Sequence, residues 1–169
     1  MLWLYPIFIQ LCLQMFSQKL TPQQALPKLK KYCAYQERCH HEVQEKLYSY
    51  GVFKNDAQEI ISNLIDEGYL NEERFALQYA SGKFRIKQWG KVKIKYQLKQ
   101  KGVSEYCIKK ALLAIDKADY KKVFYKLADA KLATLKSEKN IFIKKRKLQD
   151  HLLQKGFESE LVREIVNDI

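Results

Sequence analysis

The sequence predicts an all-α protein built of tandem three-helix repeats that stack into an elongated, curved helical array. The first observation behind this is a register. With Gly51, Gly102 and Gly156 as origins, apolar residues recur at the same seven offsets in three copies about fifty residues apart. Eight before each glycine lie Val43, Ile94 and Leu148, and four before lie Leu47, Leu98 and Leu152. One after come Val52, Val103 and Phe157, and six after come Ala57, Ile108 and Val162. Ile60, Ala111 and Ile165, then Ile61, Leu112 and Val166, and finally Leu64, Ile115 and Ile169 complete the set. The second observation is an absence. There is no hairpin turn such as Asn-Gly to join two strands, and no glycine-rich phosphate loop.

Each copy reads as a helix, a glycine stop and a second helix. Glycine reaches the left-handed backbone that ends a helix, and the apolar residue after it packs back onto that helix. The later offsets follow the three-and-four spacing of one buried helical face. A further helix precedes each pair, giving repeats over residues 17–70, 71–118 and 119–169 after an apolar extension at 1–16.

Taken in order, MLWLYPIFIQLCLQMF is shorter than the ~20 residues needed to span a bilayer, and Pro6, Gln10 and Gln14 interrupt it. It lacks the basic start and small-residue cleavage site of a secretory signal, so translation is expected to start at Met15, a short interfacial anchor being the alternative. No membrane association is expected. Thr21-Pro22 marks the first helix start, with Thr21 as N-cap and Pro22 at the first helical position. Ala25, Leu29, Tyr32 and Cys33 then recur at helical spacing, and this helix is expected to end near Cys39. Asn71 is the expected cap of the helix over 72–85, which carries Phe75, Leu77, Tyr79 and Ala80; Arg74 stands where a capping box would need glutamate. In the third repeat the helices are expected over 120–135 and 141–154, joined by Lys136-Ser137-Glu138-Lys139-Asn140.

Chemistry is hard to place on this chain. It has no GxSxG, HExxH, Walker lysine or DxD, and His40 and His41 are neighbours that point about 100° apart on a helix. Asp66, Glu67, Glu72 and Glu73 crowd the Gly68 turn, where solvation and helix-dipole pairing account for them. Cys33, Cys39, His40 and His41 are zinc-ligand types, but their spacing fits no standard finger and no second ligand pair follows. The four cysteines also lack the spacing of a disulfide scaffold, which points to a reducing cytoplasm. The expectation is a protein that is not an enzyme and holds no cofactor or metal.

Charge carries more information. Thirty-one Lys and Arg against nineteen Asp and Glu give a formal charge of +12, which suits a polyanion or an acidic protein surface as partner. A solvated exterior meets the same total, so clustering must decide. Between Glu73 and Glu105 there is no acidic residue, and the interval holds Arg74, Lys83, Arg85, Lys87, Lys91, Lys93, Lys95, Lys99 and Lys101. Along residues 91–101 Ile94 and Leu98 form the core face, with Lys95 and Lys99 to one side, Lys93 to the other, and Val92 and Tyr96 nearly opposite. With Trp89 just upstream, this sets aromatic rings among cations, a combination suited to phosphate contact and stacking. The competing reading packs Tyr96 on a neighbouring unit and leaves the lysines solvated. A second run, Lys144-Lys145-Arg146-Lys147, sits near a helix N-terminus, where each exposed cation is disfavoured by roughly 0.3–1 kcal/mol.

The stretch GYLNEERFALQYASGKFRIKQWGKVKIKYQLKQKGV resembles the central repeat of the RecX family of bacterial recombination regulators. The resemblance rests on Gly68-Tyr69-Leu70, Asn71-Glu72, Arg74-Phe75-Ala76, Tyr79, the basic residues 83–87, Gly90, and Ile94, Leu98, Lys101, Gly102 and Val103. It extends over about residues 25–118 and continues more weakly in register to the C-terminus, with no counterpart for the first sixteen residues. It implies a monomeric, cofactor-free protein that binds RecA, lies in the groove of the RecA filament on single-stranded DNA, and curbs recombinase, ATPase and coprotease activity. One departure is Tyr96-Gln97 where the family pattern commonly has an acidic residue before the leucine. The balance between DNA phosphate and RecA surface can differ accordingly. Candidate contacts to RecA or DNA are Lys83, Arg85, Lys87, Trp89, Lys91, Lys93, Lys95, Tyr96, Lys99, Lys144, Lys145, Arg146 and Lys147. An autonomous basic nucleic-acid-binding protein is the alternative.

Overall fold

A computed structural model describes residues 19–169, and the described residues form nine α-helices and no strand. In chain order these are α1 (Pro22–Tyr35), α2 (His40–Ser49), α3 (Lys54–Asp66), α4 (Glu72–Lys87), α5 (Lys91–Gln100), α6 (Glu105–Leu113), α7 (Lys117–Thr134), α8 (Ile141–Lys155) and α9 (Ser159–Asn167). The apolar extension at 1–16, and with it the expected Met15 start, lies outside the described residues. None of the helices among the described residues is long and apolar enough to cross a membrane. The chain divides into two compact units, one ending at Asn71 and one running from Glu72 to Ile169.

In the first unit Thr21 caps α1 as its sequence predicts. Its hydroxyl accepts from the Gln24 amide at 3.3 Å, and the Gln24 side chain accepts from the Thr21 amide at 3.1 Å. The helix stops at Tyr35, short of the expected end near Cys39, because Gln36 is extended and Cys39 already caps α2. The Glu42 carboxylate accepts from the Cys39 amide at 3.4 Å, a start signal just past the stretch over which periodicity predicts a single helix. Cys33 and Cys39 are both buried, and Cys33 joins Ala25, Leu29, Val43, Leu47, Ile60 and Leu64 in the core of this unit.

The glycine register appears in the backbone and in the packing. Gly51, Gly102 and Gly156 have φ of +76°, +73° and +88°. After each, the amide of Val52, Val103 or Phe157 donates back to Leu47, Leu98 or Leu152 at 3.1–3.2 Å, the bond that closes a left-handed helix end. The offsets of −8, −4, +1 and +6 are buried in all three copies, while Ile61, Leu112 and Val166 are half-buried. Sequence register and buried surface therefore repeat together.

The second unit contains two of these triplets. In the first, Phe75, Ala76, Ala80 and Phe84 of α4 face Ile94, Leu98, Ile108 and Ala111. Glu72 ties the starts of α4 and α6 together by accepting from the Ser104 amide at 3.1 Å and hydroxyl at 2.7 Å. In the second, Phe124, Leu127, Ala128, Leu148, Leu152 and Phe157 are buried around α7 and α8.

These triplets meet where the N-terminus of α5 abuts the C-terminus of α8. The Gly90 amide donates to the Lys155 carbonyl at 2.9 Å, and the Val92 amide donates to the Gly156 carbonyl at 3.0 Å. A helix start has spare N–H groups and a helix end has spare carbonyls, so each end satisfies the other, with the dipoles aligned favourably. The approach is close enough that Gly90 has no space for a side chain: a Cβ there would lie 2.1 Å from the Gly156 carbonyl oxygen.

Candidate interaction interface

The α5–α8 junction fixes the frame on which the basic residues stand. Tyr120 is buried at its centre, its ring 5.8 Å from Phe84 and 5.3 Å from Phe157. Its hydroxyl accepts from the Lys91 amide at 2.9 Å and donates to Glu158 Oε2 at 2.6 Å. Burial first, and the bond to Glu158 second, push this phenol far above its ordinary range, so it remains a protonated donor. Tyr120→Phe leaves both the Lys91 amide and the Glu158 carboxylate without this partner. We expect it to lower stability by about 1–3 kcal/mol in urea denaturation. An unchanged midpoint would show that the hydroxyl is not holding the junction.

Around this frame the predicted residues separate into groups. Lys83, Trp89 and Lys93 come together: Lys83 Nζ lies 5.2 Å and Lys93 Nζ 4.9 Å from the Trp89 ring. The row continues through Tyr79, whose ring has Lys83 at 5.1 Å and Lys101 at 5.7 Å. Cations and aromatic faces thus alternate from Lys101 through Tyr79, Lys83 and Trp89 to Lys93. Lys93 also donates to the Gln154 carbonyl at 3.0 Å, which fixes one end of the row at the junction. A lysine over a ring keeps its full charge, so these contacts hold the ammonium groups in place without neutralising them. Tyr79 stands one turn before Lys83, the spacing at which helical side chains meet.

Arg85 and Lys87 are exposed at the end of α4 and, among the described residues, make no ion pair. Lys91 lies over the Tyr120 ring at 4.8 Å. Lys95 and Lys99 behave differently, because both pair with Glu105, Lys95 at 3.6 Å. The hydrogen bond from Lys99, with the nearby Lys95 charge, holds the Glu105 carboxyl below the usual carboxylate range. That carboxylate cancels one of the two cations down to its lowered pKa, and the pairing is lost only as pH falls through that value. Val92 and Tyr96 are exposed, on the side opposite the buried Ile94 and Leu98, as the helical spacing predicts.

The second basic run occupies the first half of α8, which Asn140 caps by accepting from the Phe142 and Ile143 amides at 3.0 and 3.3 Å. Lys147 pairs with Glu138 at 2.9 Å, and Arg146 reaches Asp150 at 4.0 Å. Lys144 and Lys145 are half-buried and, among the described residues, make no ion pair. From Lys147 to the junction at Gly156 is about 14 Å along the helix axis, so the run sits apart from the contacts made by Lys93.

Two family descriptions match the second unit. "RecX, second three-helix domain" covers residues 71–112, and "RecX, third three-helix domain" covers residues 119–166. A "Regulatory protein RecX" from Bacillus cytotoxicus is 30% identical over 142 residues, 83% of this chain and 52% of that relative. The chain thus spans about half the length of that relative. Another protein of the same name, from Prosthecochloris aestuarii, is 26% identical over 147 residues, covering 87% of this chain and 94% of the relative. The crystal structure of RecX from Lactobacillus salivarius superposes with a TM-score of 0.76 at 27% identity, over 87% of this chain and 95% of that one. With these matches running through both triplets of the second unit, the chain belongs to the RecX family of regulatory proteins.

Proposed function

We propose that this protein is a negative modulator of RecA that binds the RecA filament on single-stranded DNA and acts by occupying its groove rather than by catalysis. RecX membership supports the partner. The observation that carries the mode of action is the alternation of Lys101, Tyr79, Lys83, Trp89 and Lys93, beside the exposed Arg85 and Lys87. Cations fixed over rings present positive charge at low further ordering cost, which suits an anionic, repetitive surface. On this reading the protein is a cytoplasmic monomer made of three triplets divided near residues 70 and 118. It needs no cofactor. Its occupancy of the groove obstructs filament extension and with it recombinase, ATPase and coprotease activity.

A second reading, direct binding to single-stranded nucleic acid, is favoured by the same alternation, since bases stack on aromatic faces while lysines meet phosphates. The two separate in one experiment, the titration of this protein into RecA hydrolysing ATP on single-stranded DNA. Direct strand binding weakens with salt by a slope of about −0.7 per neutralised phosphate. Inhibition that outlasts the loss of naked-strand binding supports RecA as the partner, and inhibition that disappears with it supports the second reading.

A further inference from the structure

A second surface lies on the same triplet, and its chemistry differs from that of the aromatic row. Between α5 and α6 a groove of about 420 Å³ has Ile108, Leu112 and Leu113 as its apolar lining and Lys91, Lys95 and Lys109 along its edges. Ile108 is buried and belongs to the core, but Leu113 and the adjoining Tyr106 are each 70% exposed, so the described residues leave this apolar side uncovered. Lys110 pairs with Glu73 and lies 5.9 Å over the Tyr106 ring, which holds the ring at the groove edge. The acidic residue lining the groove is Glu105, and it is already shared between Lys95 and Lys99. Lys109 is exposed and makes no ion pair among the described residues.

We infer that this groove docks an acidic, amphipathic segment of the protein partner, presenting apolar side chains to Leu112 and Leu113 and carboxylates to Lys91 and Lys109. Three occupants can be compared by charge and by polarity. A second copy of this chain, at a formal +12, brings like charge to a basic rim. A nucleic-acid strand satisfies the lysines, but its phosphates and sugars gain nothing from the aliphatic Leu112 and Leu113. An acidic amphipathic segment meets both requirements, since it covers exposed apolar area and pairs the rim charges at once. The triplet then has two roles on two surfaces: the row from Tyr79 to Lys93 faces an anionic strand, and the α5–α6 groove faces protein. This inference rests on RecA being the partner, as proposed above.

The test measures binding of the full chain to immobilised, nuclease-treated RecA without DNA, and in parallel to an oligo-dT strand. Leu113→Ser removes apolar contact without changing charge, and Lys109→Glu reverses one rim charge; both sites are exposed, and circular dichroism with an unfolding curve checks the fold. We expect Leu113→Ser to weaken RecA binding by about tenfold or more while oligo-dT affinity stays within about threefold, and Lys109→Glu to weaken RecA binding comparably. Wild-type binding to RecA that both variants retain overturns the groove proposal and leaves the RecA reading standing. Equal loss toward RecA and oligo-dT in Leu113→Ser also overturns it, by making the groove a strand contact. A wild-type chain that binds neither free RecA nor RecA filaments overturns both.

Discussion

Gly90→Ala is expected to destabilise the second unit by about 3 kcal/mol or more, the range of overpacking and disrupted backbone contacts combined. The added Cβ would stand 2.1 Å from the Gly156 carbonyl oxygen, 2.3 Å from its carbonyl carbon and 2.4 Å from the Phe157 nitrogen. All three are backbone atoms, so no rotamer change relieves the contact. Relief requires separating α5 from α8, which breaks the Gly90-to-Lys155 and Val92-to-Gly156 hydrogen bonds and strains those of Tyr120. Gly156→Ala meets the same obstacle from the other side, with Lys93 Cβ at 2.1 Å and a φ of +88° that disfavours any side chain. Gly82 is the internal control: it lies within α4 and a Cβ there has nothing within 4 Å. Gly82→Ala should therefore be neutral or stabilising by up to about 1 kcal/mol. Denaturant midpoints decide the matter, and a Gly90→Ala loss below about 1 kcal/mol would contradict the close approach of the two helix ends.

Arg85→Gln with Lys87→Gln is expected to weaken binding to RecA-coated single-stranded DNA by about tenfold, whereas Lys95→Gln with Lys99→Gln should change it by about threefold or less. The two pairs remove the same formal charge, so the difference isolates what the structure adds to the sequence. Among the described residues Arg85 and Lys87 are exposed with no carboxylate within ion-pair distance, Arg85 bordering the cleft that Asp116 and Asp119 also line. Lys95 and Lys99 already satisfy Glu105, so only part of their charge faces outward. If Arg85 and Lys87 each neutralise one phosphate, their removal should also flatten the salt slope on single strands by about 1.4. Equal effects from the two pairs, read by fluorescence anisotropy, would mean that overall charge and not its placement governs binding.

The contrast between these pairs marks how far the sequence could be read. Helix-local features were legible: Ile94 and Leu98 are fully buried and Val92 and Tyr96 exposed, as about 100° per residue requires. Core positions were legible because the same offsets recur three times, which averages out accidents in any one copy. What depended on the chain returning to itself was not. The count of acidic residues stopped at Glu105, but the turn at Gly102 brings that carboxylate back onto Lys95 and Lys99. The role of Gly90 is set by Gly156, and Tyr120, which the sequence places only at a helix start, bonds through its hydroxyl to Lys91 and Glu158. The end of α1 at Tyr35 was missed because its stop is made by Glu42 reaching back to Cys39 rather than by a glycine or proline.

The proposed modulation of RecA is tested most directly by RecA ATP hydrolysis on single-stranded DNA, measured while this protein is added at a salt concentration where its binding to naked DNA has been titrated away. Hydrolysis is expected to fall as the protein approaches the RecA concentration, and the Arg85→Gln, Lys87→Gln variant to shift the titration to higher concentration. Hydrolysis that stays constant, with both proteins folded and RecA filaments intact, would contradict it.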